Sequence, residues 1–107
     1  MYYVYILRCT DNSLYTGTAK DIKKRLSEHF NQSKKRAKYT KSHTPEKAEA
    51  VWKCQNKSDA LKLEYRLKEL TKSEKETLIK DNVAPESICL KLSGLLFERL
   101  NAEEIMA

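Results

Sequence analysis

Long apolar runs are missing from this sequence of 107 residues. No stretch approaches the roughly 20 consecutive apolar residues that a membrane-spanning helix needs, so we expect no membrane partner. Residues 1–9 also lack the basic segment and the small-residue cleavage site of a secretory signal peptide. These absences predict a soluble protein of the cytoplasm.

Cysteines are few, and their spacing fits neither a disulfide framework nor a metal site. Cys9, Cys54 and Cys89 are odd in number, lie far apart and form no CxxC pair. Structural zinc sites and disulfide-rich domains both need closer and more regular spacing. Reduced thiols in the cytoplasm are therefore the simplest interpretation.

The positive charge of the chain is concentrated in one stretch. The net charge is +6, yet residues 19–57 alone hold twelve Lys and Arg against four Asp and Glu, a balance of +8. Residues 82–107 hold two basic and four acidic side chains, a balance of −2. Such a basic stretch favours a polyanionic partner such as nucleic acid, although a solvated lysine-rich loop has the same composition.

The periodicity of the apolar residues predicts a small α+β domain. Residues 2–9 are aromatic and β-branched, which is typical of a strand buried on both faces, and residues 14–18 return as a second strand after a turn. Further along the chain we predict a helix over about residues 20–30, a loop to residue 47, a strand over residues 48–54, a helix from Ser58 and a short helix over residues 73–80. This order, β-β-α-β-α-α, predicts a three-stranded antiparallel sheet flanked by helices.

The last quarter of the chain is predicted to be an extension. We place the domain at residues 1–82 and the extension at residues 83–107. Its leucines are spaced for a marginal amphipathic helix that Gly94 interrupts, with partial disorder as the alternative. These leucines, which could also bind a protein partner, are Leu92, Leu95, Leu96 and Leu100.

Three polar side chains lie at the edges of the predicted apolar helix faces. Arg25 and His29 are four residues apart and form a polar stripe along the first helix, and Glu64 lies at the shoulder of the buried face of the second. Taken alone, each such residue is more often a side chain that reaches water than a functional one.

Two tyrosines of the predicted hairpin form a further candidate pair. If Asp11, Asn12 and Ser13 make a three-residue loop, Tyr5 and Tyr15 point to the same face of the sheet, whereas a two-residue turn would separate them. Core packing is the ordinary role of aromatic residues in strands.

Together, these residues resemble the signature of the GIY-YIG nuclease superfamily. Tyr3-Val4-Tyr5 is followed after nine residues by Tyr15-Thr16-Gly17, then by Arg25, His29 and a single later Glu64. Residues 38–45 and 64–79 are also similar to the small stand-alone bacterial members. The resemblance covers about residues 2–80, with Tyr3 in place of the glycine in the family's name and Thr18 where several members have lysine.

The resemblance implies metal-dependent hydrolysis of phosphodiester bonds by an endonuclease. Glu64 would bind one Mg²⁺ or Mn²⁺ ion, and Arg25 would contact a phosphate oxygen. Tyr15, with Tyr5 beside it, would orient or deprotonate the attacking water, and His29 is an alternative base. The nucleic acid, DNA rather than RNA, would be held by a basic segment made up of Lys34, Lys35, Arg36, Lys38, Tyr39 and Lys41.

Two other classes of protein remain open from the sequence. One is a non-catalytic nucleic-acid-binding module with the same fold, which would bind through the basic segment without cleaving. The other is a protein-interaction module that uses the leucine-rich tail. Mg²⁺-dependent cleavage would distinguish the first from an enzyme, and binding that is insensitive to salt would indicate the second.

Overall fold

The computed structural model describes residues 1–31, 43–81, 97–102 and 105. They form an α+β fold whose strands are β1 (Tyr2–Cys9), β2 (Leu14–Ala19), β3 (Pro45–Cys54) and β4 (Phe97–Leu100), and whose helices are α1 (Ile22–Phe30), α2 (Lys57–Glu69) and α3 (Lys72–Asp81). The predicted α+β class and the order of the first six elements are confirmed. No helix in the described part of the chain is long and apolar enough to cross a membrane.

The β1–β2 hairpin turns through a three-residue loop. The amide of Cys9 donates to the carbonyl of Ser13 at 2.9 Å, so the loop is Thr10–Asn12, one residue earlier than predicted. Asn12 closes the loop with a φ of 69°, a left-handed conformation that asparagine tolerates better than most residues. The odd number of loop residues keeps the predicted parity, in which odd-numbered residues of both strands share a face.

The sheet has four strands in the order β2-β1-β3-β4, and every pairing is antiparallel. The predicted sheet of three strands therefore has one strand too few. The helix predicted over residues 92–100 is wrong for residues 97–100, which form β4. The backbone of β4 forms antiparallel ladder hydrogen bonds with the free edge of β3, where Val51 lies opposite Leu100. These ladder bonds and the packing of Leu100 outweigh a weak helical spacing.

Both faces of the sheet are buried. On one face Tyr5 and Leu7 pack against Ile22 and Leu26 of α1. On the other face the core consists of Val4, Ile6, Ala50, Trp52 and Cys54 from the sheet together with Ala60, Leu63, Leu67 and Leu78 from α2 and α3. The near-continuous apolar run of β1 follows from this arrangement, because neither face of that strand meets water.

Polar side chains cap the helices and fix where they begin. Asp21 accepts from the amide of Lys24 at 3.1 Å at the start of α1. Asn56 accepts from the amide of Asp59 at 2.8 Å, so α2 begins at Lys57 rather than at Ser58. These bonds satisfy amides that have no partner inside their helices.

Arg8 links the hairpin to β3 and α3. Its guanidinium donates to Glu49 at 2.9 and 3.0 Å, to Asn12 at 2.8 Å and to both carboxylate oxygens of Glu76. Only 13% of the Arg8 side chain and 11% of the Glu49 side chain are exposed, so the charge-assisted bonds between these two are shielded from water and hold the hairpin to β3 more firmly than a surface pair would.

Candidate active site

Tyr5 and Tyr15 lie diagonally on the α1 face of the sheet. Tyr5 is paired with Gly17 across the hairpin, and Tyr15 is paired with Leu7. Their ring centroids are 6.2 Å apart, and each phenol shifts the pKa of the other. The predicted position of both phenols on one face is therefore confirmed.

Gly17 is the residue that lets Tyr5 lie across the hairpin. A Cβ atom at position 17 would be 2.6 Å from Oη and 2.7 Å from Cζ of Tyr5, and 3.0 Å from Cε2 of Tyr15. Carbon atoms do not approach so closely, so any larger residue would displace the Tyr5 ring. The sequence contained this signal in the Tyr15-Thr16-Gly17 motif, but Gly17 was not predicted as a site residue.

His29 of α1 reaches the two tyrosines from above the sheet. Its Nε2 atom lies 2.9 Å from the Tyr5 hydroxyl, and its ring centroid is 5.6 Å from that of each tyrosine. The side chain is fully buried, which differs from the predicted position at a polar helix edge. The reason is that the two tyrosines supply polar and aromatic partners inside the core, so the imidazole need not reach water.

Arg25 lies one turn before His29 and is part of the same cluster. Its guanidinium lowers the pKa of the Tyr5 phenol, against the larger effect of burial, and pairs with Glu28 at 3.3 Å. About a quarter of its side chain remains exposed. Arg25 is thus anchored at one end and accessible at the other.

Glu64 approaches the tyrosines from α2. Its Oε2 atom is 3.6 Å from Nζ of Lys68, and its negative charge acts on both Tyr5 and Tyr15. The core side of α2 packs on the opposite face of the sheet, whereas Glu64 lies at the edge of that packing with 19% of its side chain exposed. The charges of Arg25 and Glu64 thus both act on the tyrosine pair that His29 contacts.

Comparison with known proteins identifies the family to which this arrangement belongs. Residues 1–77 match the GIY-YIG catalytic domain. A UPF0213 protein of Fusobacterium nucleatum is 51% identical over 78 residues, which cover 73% of this chain and 76% of that protein. A UPF0213 protein of Halalkalibacterium halodurans is 39% identical over 92 residues, covering 86% of this chain and 96% of that protein. This chain belongs to the GIY-YIG family.

A solved structure supports the same fold for this GIY-YIG chain. The solution NMR structure of a UPF0213 protein from Bacillus halodurans has a TM-score of 0.50 and 37% sequence identity, and the match covers 87% of this chain and 98% of that one. The five clustered residues all fall within the part that matches the family. The predicted membership of this family is therefore confirmed.

The tyrosines of this GIY-YIG site are neutral phenols at physiological pH. Burial raises the pKa of Tyr5 well above its usual value, and the neighbouring Tyr15 adds to the effect. Burial also raises the pKa of Tyr15, against the opposing influence of the Arg25 charge. A phenol in this state can donate or relay a proton, but it is not ready to act alone as a base.

The donor set suits a hard divalent ion held by a single carboxylate. Among the residues that the structure describes, no group of three or more His, Cys, Asp or Glu side chains could hold a metal. Mg²⁺ typically keeps several water molecules and binds through one or two carboxylates together with substrate phosphates. Glu64 fits that mode of binding and does not fit a closed structural metal site.

The predicted basic segment lies outside the described residues. This applies to Lys34, Lys35, Arg36, Lys38, Tyr39 and Lys41, whose part in nucleic-acid binding stays a prediction. The same holds for the tail leucines Leu92, Leu95 and Leu96, and hence for most of the predicted protein-binding surface.

Proposed function

We propose that this chain is a metal-dependent endonuclease that hydrolyses phosphodiester bonds of nucleic acid, DNA rather than RNA. The proposal is supported by membership of the GIY-YIG family. The observation that carries it is the cluster in which the Tyr5 hydroxyl bonds to buried His29 at 2.9 Å while the charges of Arg25 and Glu64 act on the same phenol. A plain hydrophobic core has no need of two opposite charges converging on a buried hydroxyl.

In this proposal Glu64 holds one Mg²⁺ or Mn²⁺ ion. A bound ion of this kind would supply positive charge to stabilise the leaving oxygen. Glu64 is partly exposed, and its ion pair with Lys68, 3.6 Å away, is one that a divalent ion could displace. The carboxylate is therefore accessible for binding.

Arg25 is proposed to bind the substrate phosphate. Its planar guanidinium can donate two parallel hydrogen bonds to phosphate oxygens, which a lysine cannot do. Glu28 and Tyr5 orient the side chain before substrate arrives, so less conformational entropy is lost on binding.

The three aromatic residues are proposed to remove the proton of the attacking water. Tyr15 is the half-buried phenol that can contact that water, whereas His29 is fully buried and cannot. As the water oxygen bonds to phosphorus and the bond to the leaving oxygen breaks, three protons move together: the water proton to Tyr15, the Tyr15 proton to Tyr5 and the Tyr5 proton to Nε2 of His29. The leaving oxygen departs as an alkoxide and takes a proton from a solvent water.

This relay assigns different parts to the two candidate bases. Tyr15 contacts the water and His29 finally holds the proton, provided that the neutral imidazole carries its hydrogen on Nδ1. Both phenols end the step neutral, which agrees with their raised pKa values. No free phenolate is required.

The basic segment is proposed to grip the nucleic-acid backbone. It follows α1 directly in the chain, and α1 ends one residue after His29. Lysine and arginine contacts to phosphate give affinity without reading the sequence, so weak sequence preference is expected.

The cytoplasm is the compartment that we propose for this protein. Cys9 and Cys54 are free thiols, which suits that compartment.

The experiment that tests the proposal is a cleavage screen. Folded wild-type protein is incubated with linear, flapped and branched DNA and RNA in the presence of Mg²⁺, of Mn²⁺ or of a chelator. Cleavage of at least one substrate only with the metals is expected. Absence of cleavage on every substrate, together with retained binding, would replace the nuclease proposal by that of a non-catalytic nucleic-acid-binding module.

A further inference from the structure

Helix α2 exposes two large apolar side chains beside the candidate active site. Leu61 is 45% exposed and Tyr65 is 58% exposed, and they are two of the three large hydrophobic residues found exposed in the described part of the chain. They are four residues apart on one helix, so they are neighbours on its surface. Neither is accounted for by the two cores described above.

These two residues form a continuous patch with Glu64 and Lys68. Leu61 and Glu64 are three residues apart, as are Tyr65 and Lys68, while Glu64 and Lys68 are four apart. Residues at both spacings are in contact distance on a helix, so the four side chains occupy the corners of one quadrilateral. We call this set, Leu61, Glu64, Tyr65 and Lys68, the α2 patch.

The ring of Tyr65 is held in place before any ligand binds. The guanidinium of Arg66 lies 5.1 Å from the ring centroid, and it is in turn fixed by Glu69 at 2.8 Å. One face of the ring is thus covered by a cation while most of the side chain remains open to solvent. A fixed aromatic surface loses little entropy when a planar partner stacks on it.

Positive charge adjoins the patch. Lys68 belongs to it. Burial lowers the pKa of Lys75 in α3, and the charge of Lys68 lowers it further because the two ammonium groups repel each other. Two neighbouring cations next to an aromatic ring complement a phosphate next to a base. Glu64 offsets part of this repulsion from 3.6 Å away, and a phosphate would offset more of it, whereas a protein segment without negative charge would not.

We propose that the α2 patch binds an unpaired nucleotide, whose base stacks on Tyr65 and contacts Leu61 while flanking phosphates lie near Lys68 and Lys75. The inference rests on the proposed function only in placing this nucleotide next to the metal ion that Glu64 would hold. A continuous duplex keeps its bases stacked inside the helix and cannot offer one to Tyr65. The substrate class that follows is single-stranded or flapped nucleic acid.

The test compares binding to a single strand and to a duplex without metal, so that no cleavage is needed. Anisotropy of a labelled oligothymidylate and of a labelled duplex of equal length is measured for wild type and for Tyr65→Ala. The variant is expected to bind the single strand roughly 5- to 150-fold more weakly, since stacking on one aromatic side chain contributes about 1–3 kcal/mol per base. Binding of the duplex should change by less than twofold, and the salt dependence should be unchanged because no charge is lost.

Two further variants serve as controls. Tyr65→Trp keeps a stacking surface and should retain single-strand affinity, with tryptophan fluorescence that is quenched on binding; native Trp52 is only 1% exposed and gives a separate background. Lys80→Ala removes an exposed charge from the last turn of α3, outside the α2 patch. It should reduce the affinity for single strand and duplex alike.

The outcomes separate this inference from the proposed function. Equal single-strand affinity of wild type and Tyr65→Ala, or an equal loss on both ligands, would overturn the stacking site even if metal-dependent cleavage is found. Single-strand binding that depends on Tyr65 would support the site even if no substrate is cleaved.

Discussion

The hydroxyl of Tyr5 and Nε2 of His29 lie 2.9 Å apart, and this bond joins β1 to α1 in the buried centre of the candidate site. Both side chains are fully buried, so neither partner can be replaced by water from bulk solvent. The bond therefore contributes to stability as well as to the proposed proton path.

Removal of the imidazole should destabilise the fold. His29→Ala is expected to lower the free energy of unfolding by roughly 2–4 kcal/mol, because it leaves a cavity and deprives the Tyr5 hydroxyl of its partner. Denaturant unfolding of His29→Ala, Tyr5→Phe and the double variant measures the coupling, which should be about 1 kcal/mol. Fully additive effects would show that the bond does not form in solution.

Replacement of Gly17 should act through Tyr5. Gly17→Ala is expected to cost roughly 1–3 kcal/mol of stability, since the new Cβ would lie 2.6 Å from the Tyr5 hydroxyl and the ring must move. In the background of Tyr5→Leu, which removes the clashing phenol, the same substitution should cost much less. A cost that is the same in both backgrounds would place its origin in the backbone rather than in this contact.

Cys54 should make stability fall at alkaline pH. Burial, together with the charge of Asp59, raises the pKa of this thiol from 9.0 to about 11. The pKa of this thiol is higher in the folded protein than in the unfolded chain. Its contribution to the free energy of unfolding is therefore fully present below pH 9 and is lost as the pH rises through 11. Over that window the loss should be roughly 2–3 kcal/mol, at about 1.4 kcal/mol per pKa unit.

The measurement compares urea unfolding of wild type and Cys54→Ala at several pH values. The variant is less stable throughout, but the gap between the two proteins should narrow between pH 9 and pH 11. A gap that stays constant would mean that the thiol is not shielded from solvent in the folded protein.

The basic segment should carry the salt-dependent part of nucleic-acid binding. If the five cations Lys34, Lys35, Arg36, Lys38 and Lys41 make about four phosphate contacts, the logarithm of the affinity for duplex DNA should fall against the logarithm of salt with a slope of roughly −3 to −4. Replacement of all five by glutamine should flatten that slope. An unchanged slope would place the main phosphate contacts elsewhere on the protein.

Local sequence patterns were sufficient for most of the fold. The hairpin parity, the helical face of Ile22 and Leu26 and the edge position of Glu64 follow from periods of 2 and 3.6 residues, and the structure has all three. Strand β4 could not be found in this way, because its conformation depends on pairing with β3, which is remote in sequence. Sequence periodicity contains no information about such long-range pairing.

The sequence predicted which residues make up the candidate site, but not how deeply they are buried or what they contact. Tyr5, Tyr15, Arg25, His29 and Glu64 were named from their spacing and from the family resemblance. In the structure the two tyrosines and His29 are in contact, and the charges of Arg25 and Glu64 act on both tyrosines. The full burial of His29 depends on the tyrosines of β1 and β2, and the contact between Gly17 and Tyr5 depends on the strand register. Both are tertiary features that a helical wheel cannot show.

Glu64 is proposed to support metal-dependent cleavage, and the decisive measurement is single-turnover cleavage by Glu64→Gln. The substitution keeps the size of the side chain and removes the charge that would hold the ion. Glu46→Gln, at an exposed glutamate of β3 outside both the tyrosine cluster and the α2 patch, is the matched control. The proposed metal-binding role of Glu64 predicts that wild type and Glu46→Gln cleave at similar rates with Mg²⁺ or Mn²⁺, whereas Glu64→Gln shows no cleavage above the enzyme-free background. Equal cleavage by folded wild type and folded Glu64→Gln would contradict it.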